Sequence, residues 1–498
     1  MSARPLPVSS PAAEGVDAHG IHAFLDAVEC APDIEPHSLM VLRHGRVVAA
    51  GWWAPYTPER PHLLYSLSKS FTATAAALAA TEGLLDLDAP VISYFPEFAD
   101  EITDPRSRAM LVRHVASMAS GHLAETYERA FRLDRNDPVR GFLLIPPDRD
   151  PGTVFAYNQP CTYTLAAIVQ RQTGRSLTEY LRPRLLDPLG IGEVAWLQHP
   201  RGRDLGFSGL HAATDAIARL GLLHLQGGVW EGERLLSAAW VAEATRPHIA
   251  TADGTAEGAE SDWQQGYGFQ FWQSRHGYRG DGAYGQFCLV LPEHDAVIAT
   301  TAATEQMQDL LNLVWRHLLP AFAEKPLDGR DDEDAALAER LAGLALPPVA
   351  ARPGPPAAPE TWSDTSFTPK GGDCADQPTL TGVTVAATPH GWTVTLAEGD
   401  EQLALPLADS GWAVEDGAAI PTAVSGGWTD PDALRVDVVF LETPHRLTVT
   451  CSLADRTFTA RWHTTPLGGG PLRRLRAPRP VPRDRPGSVG KSGVGEGR

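Results

Sequence analysis

A change of pattern at one proline run constrains this fold more than any other feature. The run Leu346-Pro-Pro-Val-Ala-Ala-Arg-Pro-Gly-Pro-Pro-Ala-Ala-Pro359 interrupts every periodicity, because proline fixes φ and lacks a backbone donor. With the acidic cluster and short alanine/leucine helix before it, it reads as an acidic, proline-rich linker over 323–359, stiff and extended at its proline end. Beyond it the chain alternates with period two, in Gly382-Val-Thr-Val-Ala, Trp392-Thr-Val-Thr-Leu, Leu434-Arg-Val-Asp-Val-Val-Phe, Leu447-Thr-Val-Thr-Cys and Phe458-Thr-Ala-Arg-Trp. That alternation predicts an antiparallel all-β accessory domain over 360–467, a small barrel or sandwich. A Gly/Pro/Arg-rich tail over 468–498 is expected to be disordered.

The part before the linker, 1–322, mixes periods. Gly15–Glu29 has helical spacing at Ile21, Phe24, Leu25 and Val28. Ser38–Arg43 and Val47–Trp53 read as a hairpin turned at His44-Gly45. A helix opens at Ser66, runs through the alanine-rich Phe71–Ala80 and stops at Glu82-Gly83. Pro160–Thr173, Thr214–Leu225 and Gln308–Phe322 read as further helices, and Tyr267–Trp272 and Gln286–Thr301 as strands of one sheet. Strands at both ends with helices between predict an α+β class, with a sheet assembled from distant segments.

The bulk numbers exclude several functions. With 43% hydrophobic and 21% charged residues over 498 positions, a folded chain with ample core is expected. A net charge of −19 argues against nucleic acid and against an anionic membrane surface. No apolar run is long enough to span a bilayer. The first ten residues lack an apolar core of signal-peptide length. Five widely spaced cysteines without a Cys-x-x-Cys read as reduced thiols, and a cytoplasmic address is expected. The seventeen histidines show no paired metal spacing, so neither metal nor cofactor is expected. Nothing in the sequence specifies an oligomeric state.

Only four lysines stand against 38 arginines, and one of them, Lys69, follows Ser66 by three residues in Tyr65-Ser66-Leu-Ser-Lys69-Ser-Phe. An arginine stays protonated at any working pH, whereas a buried lysine can act as a base. On a helix, Ser-x-x-Lys puts hydroxyl and amine on one face. A helix start also offers free amides to a developing negative charge. Ser488-Val-Gly-Lys491 has the same spacing, but it lies in the tail with nothing to hold it.

The surrounding segments sharpen the reading. Glu82-Gly-Leu-Leu-Asp-Leu-Asp88, Val112-Arg-His-Val-Ala-Ser-Met-Ala-Ser-Gly-His122, Phe155-Ala-Tyr157-Asn158-Gln159, Leu186-Asp-Pro-Leu-Gly190 and Gly282-Ala-Tyr-Gly-Gln-Phe-Cys-Leu-Val-Leu-Pro-Glu293 follow Ser66 in order. In this order the stretch from Pro11 to Phe322 resembles the class C β-lactamase-related serine hydrolases, which include β-lactamases, D-aminopeptidases, esterases and the 6-aminohexanoate-dimer hydrolase. The resemblance implies the β-lactamase/penicillin-binding-protein-like transpeptidase fold for 1–322, an antiparallel sheet flanked by helices with a helical subdomain. It implies Ser66 as nucleophile, Lys69 and Tyr157 as a proton-sharing pair in which lysine stabilises a phenolate, and the amides of Ser66 and Ala283 as the oxyanion hole. Asn158 or Gln159 would orient the substrate. Gly280-Asp281-Gly282 stands where the family usually has Lys-Thr-Gly or His-x-Gly, and would line the substrate site.

The missing cation points to a substrate without the carboxylate that β-lactams carry. Arg279 should face away, being one residue along a strand from Gly280. Hydrolysis of a small-molecule ester or amide through an acyl-enzyme is the function expected. The alternatives are a β-lactamase or D-amino-acid peptidase, and a catalytically weak binding or scaffold protein of the same fold. His122 and the pair Trp52-Trp53 are candidate cleft residues, each with a structural role as the simpler expectation.

Overall fold

A computed structural model describes residues 5–199, 202–355 and 359–479. Ser488, Lys491 and the tail beyond 479 lie outside the described residues.

The first sheet has six antiparallel strands: β1 (Glu35–Arg43), β2 (Arg46–Trp52), β3 (Trp272–Gln273), β4 (Tyr278–Gly282), β5 (Gln286–Leu291) and β6 (Ala296–Ala303), in spatial order β2-β1-β6-β5-β4-β3. The β1–β2 hairpin turns at His44 and Gly45, both at positive φ, a turn that matches strand twist. Period-two alternation sorts the side chains. Leu39, Val41, Leu289 and Ile298 pack under helix α1 (Ala18–Cys30) and the closing helix α5 (Met307–Leu313). Met40, Leu42, Val290 and Val297 face the core that holds α2 (Ser68–Thr81), α3 (Gln159–Thr173) and α4 (Thr214–Leu225). Both faces are covered, so every residue of β1 is buried. Helix α2 runs through that core with Ala73, Ala75, Ala76, Ala77 and Ala79 all buried, since small side chains let its neighbours approach closely.

The expected strand Tyr267–Trp272 is a correction. Only Trp272–Gln273 is strand. Gln270 adopts φ 62°, and its side chain turns inward, donating to the Ala116 carbonyl at 2.7 Å and accepting from Thr162 Oγ at 2.7 Å. The alternating aromatics Tyr267, Phe269 and Phe271 are buried, but as the wall of an irregular loop.

The C-terminal sheet has nine strands: β7 (Thr365–Pro369), β8 (Gly382–Thr388), β9 (Gly391–Glu398), β10 (Glu401–Leu407), β11 (Ala413–Glu415), β12 (Thr422–Asp430), β13 (Ala433–Phe440), β14 (His445–Ser452) and β15 (Thr457–Trp462). Their order is β10-β9-β8-β7-β15-β14-β13-β12-β11. The sheet curls so that β10 meets β12, around one core containing Trp362, Phe367, Val394, Leu405, Trp428, Val436 and Phe458. Two expectations change here. The linker is seated: α6 (Asp331–Ala342) packs on β2, and Arg352 pairs with Trp428 through two backbone hydrogen bonds of 3.1 and 3.0 Å. Residues 468–479 are ordered on the sheet, with Leu472 2% exposed and its amide bonded to Glu398 at 2.8 Å.

This β domain is docked on the first sheet. Ala423, Val439 and Leu441 join the core under β1. Arg446 reaches Glu35 at 2.9 Å and Asp437 at 3.2 Å. Glu35 in turn contacts His37 at 3.3 Å, and His37 contacts His62 at 3.1 Å. Burial pushes both imidazoles below their ordinary range, and Arg435 also pairs with Asp437, at 3.2 Å. Among the described residues no helix is long and apolar enough to cross a membrane. All five cysteines are unpaired.

Removing one partner of a buried ion pair strands the other. Arg446→Met is therefore expected to destabilise the protein by roughly 3–5 kcal/mol, with much of the loss recovered in Glu35→Met/Arg446→Met. Chemical denaturation of the three proteins measures both.

Candidate active site

Ser66 sits in a single 3₁₀ turn, Tyr65–Leu67, immediately before α2. The turn is fastened from both sides. Ser68 Oγ donates to the Tyr65 carbonyl at 2.6 Å and accepts from the Leu210 amide at 3.0 Å. The Leu64 amide bonds to the Leu210 carbonyl at 2.8 Å. Tyr65 holds φ 47°, a conformation that costs a non-glycine residue energy and is kept only where the surroundings impose it.

Lys69 lies one helical turn on. Its Nζ is 2.9 Å from Ser66 Oγ and donates to the Phe207 carbonyl at 2.8 Å. It stands over the Tyr157 ring, 4.8 Å from the centroid. The side chain is 1% exposed, and burial pulls its pKa down to about 7, against the opposing fields of Glu125 and Asp281. Near neutral pH a large fraction of this amine is therefore unprotonated.

Tyr157 stacks on Trp272 at 5.4 Å and meets Tyr267 edge-on at 6.3 Å. Burial raises its pKa well above the ordinary phenol value, and the negative fields of Asp281 and Glu125 add to the rise. The Ser66 side chain acts to lower it. The Lys69 and Tyr157 shifts have one main cause, removal of the two groups from water, and in each group it disfavours the charged form.

The third segment is β4. A Cβ placed on Gly280 would lie 2.3 Å from Leu67 Cδ1, and one on Gly282 would lie 2.1 Å from the Leu64 carbonyl oxygen. Both positions face the nucleophile turn, so only glycine lets the strand lie so close. Asp281 and Arg279 share the other face and pair with each other at 2.8 Å. Arg279 also donates to the Asp262 carbonyl at 2.8 Å and to Ser274 Oγ at 2.6 Å, and stands 4.6 Å from the Trp263 ring centroid. Asp281 is buried by this pairing and does not line an open substrate site as expected. Ala283 begins the β4–β5 turn, and Tyr284, its neighbour, has φ 70°.

Asn158 is fully buried. Its Oδ1 accepts from the Thr126 amide at 3.0 Å and the Thr126 hydroxyl at 2.9 Å, which fastens the loop before 127, while its Nδ2 has no partner among the described residues. Gln159 offers its backbone amide to the Glu125 carboxylate at 3.1 Å. His122 is structural, bonded to Ser120 at 3.0 Å and to the Ile145 carbonyl at 3.1 Å. Trp53 is core.

Two participants left no sequence signal. The Phe207 carbonyl is a backbone atom, 138 positions from the lysine it binds. Glu125 lies in a polar loop without periodicity; its carboxylate also accepts from the Tyr127 amide at 2.8 Å, and burial raises its pKa.

The family model described as Beta-lactamase matches residues 26–321. A 6-aminohexanoate-dimer hydrolase of Paenarthrobacter ureafaciens is 29% identical over 291 residues, 54% of this chain and 74% of that protein. Esterase EstB of Burkholderia gladioli is 27% identical over 216 residues, 38% of this chain and 54% of the esterase. A solved structure from Bacillus anthracis, named for a 6-aminohexanoate-dimer hydrolase, superposes with a TM-score of 0.52 at 19% identity, covering 63% of this chain and 87% of that one; it speaks to the fold alone. With a matching family model over more than half its length and hydrolases among its relatives, the chain belongs to the Beta-lactamase family and is a serine hydrolase.

Proposed function

We propose that the chain hydrolyses an uncharged ester or small amide through a Ser66 acyl-enzyme. The observation that carries this is the buried Lys69 amine 2.9 Å from Ser66 Oγ. Ser66 Oγ gives its proton to Lys69 and attacks the substrate carbonyl carbon. The oxyanion that forms rests on the backbone amides of Ser66 and Ala283. Tyr157 protonates the leaving oxygen or nitrogen and is refilled by the Lys69 ammonium. Water then enters, loses its proton to the same pair and adds to the acyl carbon; the bond from that carbon to Ser66 Oγ breaks, Ser66 Oγ takes the proton back, and the acid leaves.

The substrate class follows from charge. Arg279 is engaged by Asp281, the Asp262 carbonyl and Ser274, so it does not offer a free cation for a substrate carboxylate. Glu125 adds a negative field on the Lys69 side. A neutral acyl group suits this better than a β-lactam. The dimer-hydrolase and esterase names of the relatives fit an amide or ester. Five unpaired thiols support a cytoplasmic address.

A fluorophosphonate probe is expected to label the wild type and not Ser66→Ala; labelling that survives overturns the assignment. The rate of acylation should rise with pH through about 7 and then level, because the neutral form of Lys69 gains as pH passes its depressed pKa. Lys69→Arg keeps the charge but cannot release a proton, and turnover is expected to fall by about 10²–10⁴, read from burst kinetics with a p-nitrophenyl ester. Gly282→Ala forces β4 off the nucleophile turn, and a displacement near 1 Å can cost about 10²-fold in rate. Steady-state kinetics of that variant, with circular dichroism to confirm folding, makes the measurement.

A further inference from the structure

The two amides assigned to the oxyanion belong to Ser66 and Ala283, and each has a tyrosine as its neighbour. Tyr65 precedes the first and Tyr284 follows the second. Both tyrosines hold positive φ, 47° and 70°. A tyrosine in this region costs on the order of 1–3 kcal/mol and persists only when something else fixes it. The hydrolase domain holds their backbones, Ser68 at the Tyr65 carbonyl and Thr304 at the Tyr284 carbonyl, but their rings lie outside its main cores. Leu63, Tyr65 and Tyr284, with Ala283 against them, form a small apolar cluster of their own.

What holds the two rings is the β domain. The ring of His445, the first residue of β14, meets Tyr65 edge-on at 5.8 Å and Tyr284 at 5.6 Å, while the tyrosines meet each other at 5.5 Å. Each pair is close to perpendicular, with interplanar angles of 82°, 80° and 74°, the arrangement aromatic quadrupoles prefer. Polar atoms complete the clamp. His445 Nδ1 is 2.8 Å from the Thr464 carbonyl, which can only accept, so Nδ1 carries the proton. Nε2 is therefore an acceptor, and the Tyr65 hydroxyl donates to it at 2.6 Å. The Tyr284 hydroxyl donates to the Thr465 carbonyl at 2.5 Å. One short stretch, Thr464–Thr465, thus holds His445 and Tyr284, and His445 holds Tyr65. His445 is fully buried, and burial lowers its pKa to about 3, so the acceptor persists across working pH.

We propose that His445 is a positioning residue for the oxyanion hole. By holding Tyr65, and with Tyr284 pinned to the same loop, the β domain fixes the separation of the Ser66 and Ala283 amides. The accessory domain is in this sense part of the catalytic apparatus, although it supplies no atom to the reacting carbonyl. The inference rests on the acyl-enzyme reading above.

The test uses full-length protein and four variants: Tyr65→Phe, His445→Phe, the double variant, and His445→Gln, whose amide oxygen can take the place of Nε2. Readouts are kcat and KM for p-nitrophenyl butyrate, affinity for an alkyl boronate that mimics the tetrahedral intermediate, and melting temperature. Loss of a whole oxyanion donor costs about 10²–10³ in kcat; a displaced donor should cost less. Tyr65→Phe and His445→Phe are each expected to lower kcat about 10–100-fold with KM within about twofold. Boronate affinity should fall by the same factor, the double variant should be no worse than either single, and His445→Gln should recover most of the loss.

Unchanged kcat in both single variants overturns the proposal. So does a loss that follows melting temperature and is as large in His445→Gln as in His445→Phe. A wild type whose turnover does not need Ser66 would instead overturn the acyl-enzyme reading, which Ser66→Ala tests separately.

Discussion

The site depends on the removal of one amine from water. Lys69 is enclosed by Tyr157, Phe207 and the body of α2, and its one fixed acceptor besides Ser66 is the Phe207 carbonyl. Desolvation disfavours the ammonium, and the nearby carboxylates Glu125 and Asp281 oppose it. The balance lets the amine switch between protonated and neutral near neutral pH. Asp281 can sit this close because Arg279 compensates its charge. The buried aromatic loop that supplies Trp272 and Tyr267 packs on the Tyr157 ring, and burial raises the pKa of that phenol.

Much of this was legible where the signal is local. The β1–β2 hairpin, the alanine-rich helix behind Ser66 and the helix after Asn158 each announce themselves through period, cap or turn chemistry. The Ser66–Lys69 pair is local too, since three residues on a helix bring two side chains together without help. Tyr157 could be found only by the order of segments, because its proximity to Ser66 is made by the packing of α3 against α2.

The rest escaped for physical reasons. Gly-Tyr-Gly-Phe-Gln-Phe-Trp, from Gly266 to Trp272, alternates as a strand would, but Gln270 satisfies carbonyls from another segment, and that pull outweighs the local pattern. Asn158 stands beside Tyr157 in sequence, but two donors of Thr126, 32 positions away, take its Oδ1. The proline run looked like a spacer; instead its backbone pairs with Trp428. Phe207 acts through its carbonyl, and every residue has one.

The ion pair between Glu35 and Arg446 carries a consequence for how the protein is made. Its carboxylate lies in the first strand of the chain and its guanidinium in one of the last. At ribosomal rates of about 5–20 residues per second, the acid waits on the order of tens of seconds for its counter-charge. During that interval the edge of the nascent sheet has no reason to exclude water. Final consolidation of the first-made strands must therefore follow synthesis of the last-made ones. Contacts this distant in sequence also predict slow, cooperative folding and a chain that relies on being kept from aggregation until its far end arrives.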